Sequence, residues 1–570
     1  MNHDEARAIL SAPGGYFELT TEEVYGRPTQ VFKQRERSMR EKVQNAAGHG
    51  DKEFLALDDT RMTFREFSEL AWGSAHTLVE RFGMRPKDRL AIFAFNRPEW
   101  LVTLFGATSA GATAVGLNGW WVTEEIAYGL RDSGARYLIV DEALWPRVQP
   151  IIGDVQGLEQ VFYIGGAPPP GTRSIQELLV RRTEPPTTPI AEDDPWVILY
   201  TSGTTGRPKG CITTHRGTIG QVQGIVHNFL LAALLRQAKD PAASTASAMP
   251  QSPPVTLLTS PLFHVAGLHA TVCASMTAGA KLVFGPPKFD PEEIMRIIER
   301  ERVTTWMAIP TLLQRLLDHP KLGAYDLSTL NSISTGGAPA SPELLARARE
   351  LLPAKPPAGT TYGLTETHGM ATSIDGVEAQ GRPGSVGRPM PTVEVKIIDE
   401  AGNALGAEVS GEILLRGPTL TPGYWNRPDA TAETIRDGWL YTGDIGYLDG
   451  EGYLFIIDRA KDMILRGGEN VYCVEIENCL AEHPEIVEAA VIGIPDRDLG
   501  EKVKAIVRRS EGSRLDSKAV QAHVASRLAR FKVPEVVAFT DEPLPRNPAG
   551  KILKNLLRGT GHVSFRPESL

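Results

Sequence analysis

Cysteine is scarce in this 570-residue chain: Cys211, Cys273, Cys473 and Cys479 are the four, and no two stand in a CxxC pair. That excludes a zinc ribbon or a disulfide framework and fits the reduced thiols of a cytoplasmic protein. Surplus positive charge is also missing. Sixty Lys and Arg stand against 69 Asp and Glu, a formal charge of −9, so no basic field holds nucleic acid and none is expected as a partner. No stretch approaches the ~20 apolar residues that span a bilayer. The opening MNHDEARAIL lacks the basic start and apolar run of a secretory signal, and the final Glu-Ser-Leu lacks the basic middle residue of a peroxisomal address. What remains is ordinary globular composition, 42% hydrophobic and 23% charged, over several times the ~150-residue length of one domain. A multi-domain cytoplasmic enzyme is expected.

Short apolar runs alternate with amphipathic segments through the first 330 residues: Leu90 to Phe95, then Trp100 onward, Tyr137 to Val140 and Val161 to Ile164. This alternation predicts βαβ units around largely parallel sheets, an α/β class. Between Leu235 and Val255 an Ala/Ser/Pro-rich stretch without periodicity, residues 236–254, reads as a surface excursion. The preceding Gly224 to Leu235, GIVHNFLLAALL, reads as a buried helix, with an acyl channel, a lid or a membrane-facing patch as alternatives. Composition changes after Asp458, and the remaining ~110 residues suffice for a small α+β domain. The predicted layout is a large domain over 1–458, a hinge at 459–461, a small mobile domain over 462–558 and a frayed tail from 559 to 570.

The run WVILY, Trp196 to Tyr200, reads as a buried strand that feeds directly into TSGTTGRPKG, Thr201 to Gly210. Glycines here let backbone N–H groups converge on an anion, Ser202, Thr204 and Thr205 add hydroxyls, and Lys209 adds positive charge, as a triphosphate requires. Gly210 follows Lys209 where a Walker A loop has Ser or Thr, and Pro208 sits where that motif needs its first helical turn, so an ordinary ATPase or GTPase is disfavoured. A Gly/Thr-rich hairpin is the bland alternative for this segment taken alone.

Seven further segments follow in order: PLFHVAG at Pro261, STGGAP at Ser334, TYGLTE at Thr361, GEILLRGP at Gly411, WLYTGD at Trp439, DRAKDMILRGGENV at Asp458 and PRNPAGKI at Pro545. With the phosphate loop they resemble the acyl-adenylate-forming superfamily of acyl-CoA synthetases, peptide-synthetase adenylation domains and luciferases, from about Phe64 to Leu557. The resemblance implies a large N-terminal domain, a mobile C-terminal one, and ATP, Mg2+ and coenzyme A as co-substrates and cofactor. Thr201, Ser202, Gly203, Thr204, Thr205, Gly206 and Lys209 are then the phosphate loop. Gly336, Gly337 and Ala338 face adenine, within reach of Thr361, Tyr362 and Gly363, with Tyr362 stacking on the base. Thr365 meets the α-phosphate, Asp444 and Arg459 the ribose, and Glu366 is the magnesium carboxylate with Thr201 as second candidate. Lys551 bridges the substrate carboxylate and α-phosphate. Ala549 departs from the commoner threonine before Gly-Lys, but the glycine and lysine remain.

His264 in PLFHVAG would line the carboxylate pocket with Gly337, although a lone His among apolar residues is commonly a satisfied interior one. His269, five residues on, lies off the same helical face and has no third ligand beside it, so a metal site is not suggested. In the family the small domain rotates between two half-reactions; Lys461 matches the hinge, and Gly467 and Gly468 the pantetheine tunnel. Coenzyme A is the leading acceptor because no carrier domain follows Lys551. A carrier protein in trans, a silent adenylate-binding protein and a homodimer are left open. The acid is read as medium to long fatty or similarly apolar.

Overall fold

The computed structural model describes residues 1–201, 207–239, 253–338, 340–459, 462–466, 469–497, 499–547 and 550–559, apart from the side chains of 239, 469 and 470. Ser202, Gly203, Thr204, Thr205, Gly206, Lys461, Gly467 and Gly468 therefore lie outside the described residues, as do most of the 236–254 excursion and the tail.

Two sheets build the large N-terminal domain. The first runs, from one edge, Lys209–Thr214, Pro195–Thr201, Thr113–Gly116, Arg89–Phe93, Tyr137–Asp141, Gln160–Ile164 and Arg173–Ser174. All neighbours are parallel except the first pair, where Thr201 faces Lys209 across an antiparallel ladder. Val197, Ile198 and Leu199 are at most 1% exposed, as expected of a central strand covered on both faces. Helices such as Phe64–Glu80 and Pro98–Ser109 supply that cover, with Trp100, Phe105, Phe67 and Trp196 in one core.

The second sheet has 14 strands. Its middle, from Glu53–Leu57 to Ala358–Leu364, is parallel, but from Ala358–Leu364 to Leu454–Arg459 every neighbouring pair is antiparallel. The predicted parallel pairing thus runs on as far as Ala358–Leu364, and in this sheet the pairs beyond it are antiparallel. The hairpins Ala358–Leu364 with Gly369–Ile374 and Trp439–Leu448 with Leu454–Arg459 have loops too short for a crossover helix, so there the chain must double back.

A smaller C-terminal domain has five strands, Glu469–Val471, Ile464–Arg466, Gly500–Arg509, Ile486–Asp496 and Val536–Thr540, covered by helices Cys473–Ala481 and Ser517–Ala525. It carries its own core, including Ile464, Ile476, Leu480, Val491 and Val503, all fully buried. The four cysteines are free and buried.

The segment Gly224 to Leu235 lies in one helix, His215–Lys239. By length and composition alone this helix could cross a membrane, but 67% of its most apolar stretch is buried inside the protein, as in a core helix. Leu231 and Leu235 pack on Ala6 and Leu10 of an N-terminal helix, His3–Leu10, which Asn2 and Glu5 close with a capping box.

Candidate active site

Strand register creates the first group of site residues. Trp439–Leu448 and Leu454–Arg459 are antiparallel, and Asp444 stands directly opposite Arg459. Opposite charges on facing positions attract: Arg459 Nε lies 3.2 Å from Asp444 Oδ1. The other oxygen, Oδ2, accepts a 2.7 Å hydrogen bond from the Tyr362 hydroxyl. Burial, then the neighbouring Asp444 carboxylate, pushes the Tyr362 phenol well above its usual range, so it stays a donor. Each carboxylate oxygen accepts more than one hydrogen bond, so Asp444 can still receive a sugar hydroxyl.

These three residues line a cavity of about 500 Å³ together with Gly337, Ala338, Thr361, Gly363 and Lys551. Gly337 has φ +78° and open space where a Cβ would be, so glycine both permits the turn and leaves room for a ligand. Lys551 comes from the C-terminal domain. A tight turn presents it: Gly550 N–H donates to Asn547 O at 2.8 Å, and Lys551 N–H to Asn547 Oδ1 at 2.9 Å. Adenine-side, ribose-side and lysine candidates, spread in sequence from Gly337 to Lys551, therefore share one chamber between the domains.

Thr365 and Glu366 occupy the turn just past Leu364, the last residue of strand Ala358–Leu364 and itself part of the lining. Two residues on, His368 has φ +58° and is buried, with Nε2 accepting from Thr214 N–H at 2.8 Å and Nδ1 donating to Thr419 O at 2.7 Å. It bolts the Glu366 turn to the strand that begins at Lys209. Glu366 Oε1 accepts from the Tyr424 hydroxyl at 2.6 Å, and Lys209 Nζ lies 5.2 Å from the centroid of the same ring. The Thr201 hydroxyl donates to Lys209 O at 3.4 Å. Among the described residues no cluster of three or more His, Cys, Asp and Glu could hold a metal. The donor set is one carboxylate, Glu366, on the same tyrosine as Lys209, which suits a cation carried largely by phosphate oxygens and water.

His264 is not brought to the lining of this cavity. It sits before the π-helix Ala266–Cys273, its Nδ1 accepting from Ala266 N–H at 3.2 Å, and burial lowers its pKa to about 4. The π-helix also changes the geometry assumed for His269, whose Nδ1 donates to His368 O at 2.9 Å. Neither the motifs nor their spacing assign a site role to Tyr424, His368 or Asp458, which the structure adds. Tyr424 lies in PGYW shortly after the RGP motif, but its partner Glu366 is 58 residues away and no spacing rule joins them.

A family model described as AMP-binding enzyme matches residues 43–425, and one described as AMP-binding enzyme C-terminal domain matches 475–551. A feruloyl-CoA synthase from an Amycolatopsis species is 36% identical over 499 residues, covering 88% of this chain and 94% of that protein. A long-chain-fatty-acid–CoA ligase from Bacillus subtilis strain 168 is 32% identical over 540 residues, covering 90% and 92%. Among solved structures, the amide bond synthetase McbA from Marinactinospora thermotolerans superposes with a TM-score of 0.79 at 28% identity, covering 91% of this chain and 99% of that one. With both family regions in order and relatives matched over nearly their full length, the chain belongs to the AMP-binding enzyme family.

Proposed function

We propose that this enzyme is an ATP-dependent carboxylic acid–coenzyme A ligase acting on a medium to long fatty or similarly apolar acid. One observation carries the reading: Lys551, from the small domain, lines the same cavity as Tyr362, Asp444 and Arg459 from the large one. In the first half-reaction a carboxylate oxygen attacks the α-phosphorus of ATP and pyrophosphate leaves. Both reactants are anions, so fixed positive charge at the point of attack is the main requirement. Lys551 would supply it, Asp444 and Arg459 would hold the ribose, and Tyr362 with Gly336 to Ala338 would hold the base. Lys209 would meet the outgoing phosphates. Glu366, with Thr201 as the weaker candidate, would hold a magnesium ion, which when bound neutralises phosphate charge. In the second half-reaction the thiol of coenzyme A gives up its proton, its sulfur attacks the acyl carbonyl, and AMP leaves.

An apolar acid is in keeping with the relatives described as a feruloyl-CoA synthase and a long-chain-fatty-acid–CoA ligase. The test is a pyrophosphate-release screen over fatty, aromatic, alicyclic and amino acids, with and without coenzyme A. Expected are pyrophosphate and AMP with apolar acids, and loss of one free thiol per AMP when coenzyme A is present. Failure of every acid to yield AMP overturns the ligase reading; AMP without thiol loss overturns coenzyme A as acceptor.

A further inference from the structure

We propose that Tyr424 is a positioning residue that keeps Lys209 and Glu366 apart and separately available to the nucleotide. The inference rests on the assignment of those two groups to ATP and its metal made above. An ammonium and a carboxylate sharing a half-buried recess attract far more strongly than on an open surface. Left to themselves they would close into an ion pair, and each would lose the charge for which ATP needs it. Among the described residues no Lys209–Glu366 ion pair is formed, because Tyr424 engages both groups: its hydroxyl holds Glu366 Oε1 at 2.6 Å, and its ring faces Lys209 Nζ at 5.2 Å. The first contact is a short hydrogen bond to a charged acceptor and the second is within cation–π range.

The backbone around Tyr424 fixes the ring at the seam of the two large sheets. Ile212 N–H donates to Gly423 O at 3.1 Å and Trp425 N–H to Gly210 O at 2.7 Å, stapling the segment to the strand that begins at Lys209. Thr421 N–H donates to Glu366 O at 2.8 Å, stapling it to the turn that carries the carboxylate. Tyr424 N–H itself is held by Thr431 Oγ1 at 2.9 Å. The ring is thus anchored independently of the two charges it separates. The hydroxyl serves Glu366 and the ring face serves Lys209, so the two contacts can be removed one at a time.

Equilibrium binding of a non-hydrolysable ATP analogue to the full-length enzyme, with and without Mn2+ detected by electron paramagnetic resonance, separates them. Tyr424→Phe keeps the ring and loses the hydroxyl. It should weaken binding of the Mn2+–nucleotide complex about tenfold, the scale of a hydrogen bond to a charged group, while metal-free nucleotide binds as to wild type. Tyr424→Leu loses both contacts and should weaken metal-free binding as well. In turnover, KM for ATP should rise in both variants with KM for the acid unchanged. The proposal is overturned if Tyr424→Phe binds the Mn2+–nucleotide complex within twofold of wild type. It is equally overturned if both variants lose binding alike with and without metal, the mark of a purely structural residue. A wild type that binds Mn2+–nucleotide yet forms AMP from no acid would sink the ligase reading and leave this one standing.

Discussion

A buried imidazole that accepts a hydrogen bond from a backbone N–H has no place for a second proton. His215 Nδ1 accepts from Met39 N–H at 3.0 Å and His368 Nε2 from Thr214 N–H at 2.8 Å, so each ring is held as one neutral tautomer. His269 donates from Nδ1 to His368 O, and its Nε2 is buried without a partner among the described residues. Burial first, then Arg40 for His215 and the neighbouring imidazole of His368 for His269, lower the pKa values to about 3, about 3 and about 4 for His215, His269 and His368. In the unfolded chain these groups titrate near 6.5, so between pH 6.5 and pH 4 the unfolded state binds more protons and stability falls as pH falls. At pH 5.5 each histidine withdraws about 1.4 kcal/mol, about 4 kcal/mol for the three together. Unfolding free energies at pH 7.5 and 5.5 should show this loss. His215→Gln retains an acceptor for Met39 N–H and should remove about a third of it; an unchanged pH dependence in that variant would reject the account.

At the scale of elements, the domain junction turns on one helix end. Helix Cys473–Ala481 has Tyr472 at its N-cap, without a side-chain cap of its own. The Cys473 N–H is instead taken by the carboxylate of Asp458, whose other oxygen accepts from Arg459 N–H at 2.7 Å. Asp458 belongs to strand Leu454–Arg459 of the large sheet, so one domain caps a helix of the other. Desolvation raises its pKa to about 6 against the opposing pull of Lys554 and the two N–H donors. For an acid raised in this way the folded state binds the extra proton between pH 4 and 6, so this contribution weakens as pH rises through that window, opposite in sign to the histidines. Asp458→Asn should therefore gain on wild type by up to about 3 kcal/mol between pH 4 and 7. Paired melting curves of the two proteins across that range would check it, and a constant difference would reject it. How much of the fold could be read beforehand follows from the same distinction between local and distant partners. The runs at Leu90, Tyr137, Val161 and Trp196 became strands within a residue or two, because period and apolar content are local signals. The ribose-side and lysine candidates converge on one cavity because family motifs name residues one by one. Helix His3–Leu10, whose Arg7 reaches Pro391 O at 2.7 Å across 384 residues, the π-helix at Ala266–Cys273 and the Tyr424 bridge went unforeseen. The Arg7 and Tyr424 contacts lie beyond any sequence window, whereas the helix itself carries a local signal in its Asn2–Glu5 capping box.

For the whole molecule, the proposed pair of half-reactions makes the seating of the small domain on the large one a testable feature. Lys551 faces the Tyr362–Asp444 chamber, and its turn is seated on the large domain: a Cβ added at Gly550 would meet Ile309 Cγ2 at 2.5 Å, at a residue whose φ is +77°. Gln314, in the helix Pro310–Leu317 that follows Ile309, donates from Nε2 to Val487 O of the small domain at 3.3 Å. If the small domain turns between half-reactions, this seat is occupied only while the lysine is needed. Lys551→Ala should then cut pyrophosphate release by about 10²-fold or more, the scale of one lost electrostatic donor at a reacting centre. It should leave thioester formation from supplied acyl-AMP and coenzyme A within a few-fold of wild type. Gly550→Ala keeps the lysine but adds a strained left-handed residue and a clash at Ile309, so it should slow the same half-reaction about tenfold. Its thioester step should likewise be spared, because neither the seat nor the turn is used there. Equal losses in both half-reactions for either variant would mean that a single domain arrangement serves both steps, and that Lys551 and its glycine act by holding this arrangement together.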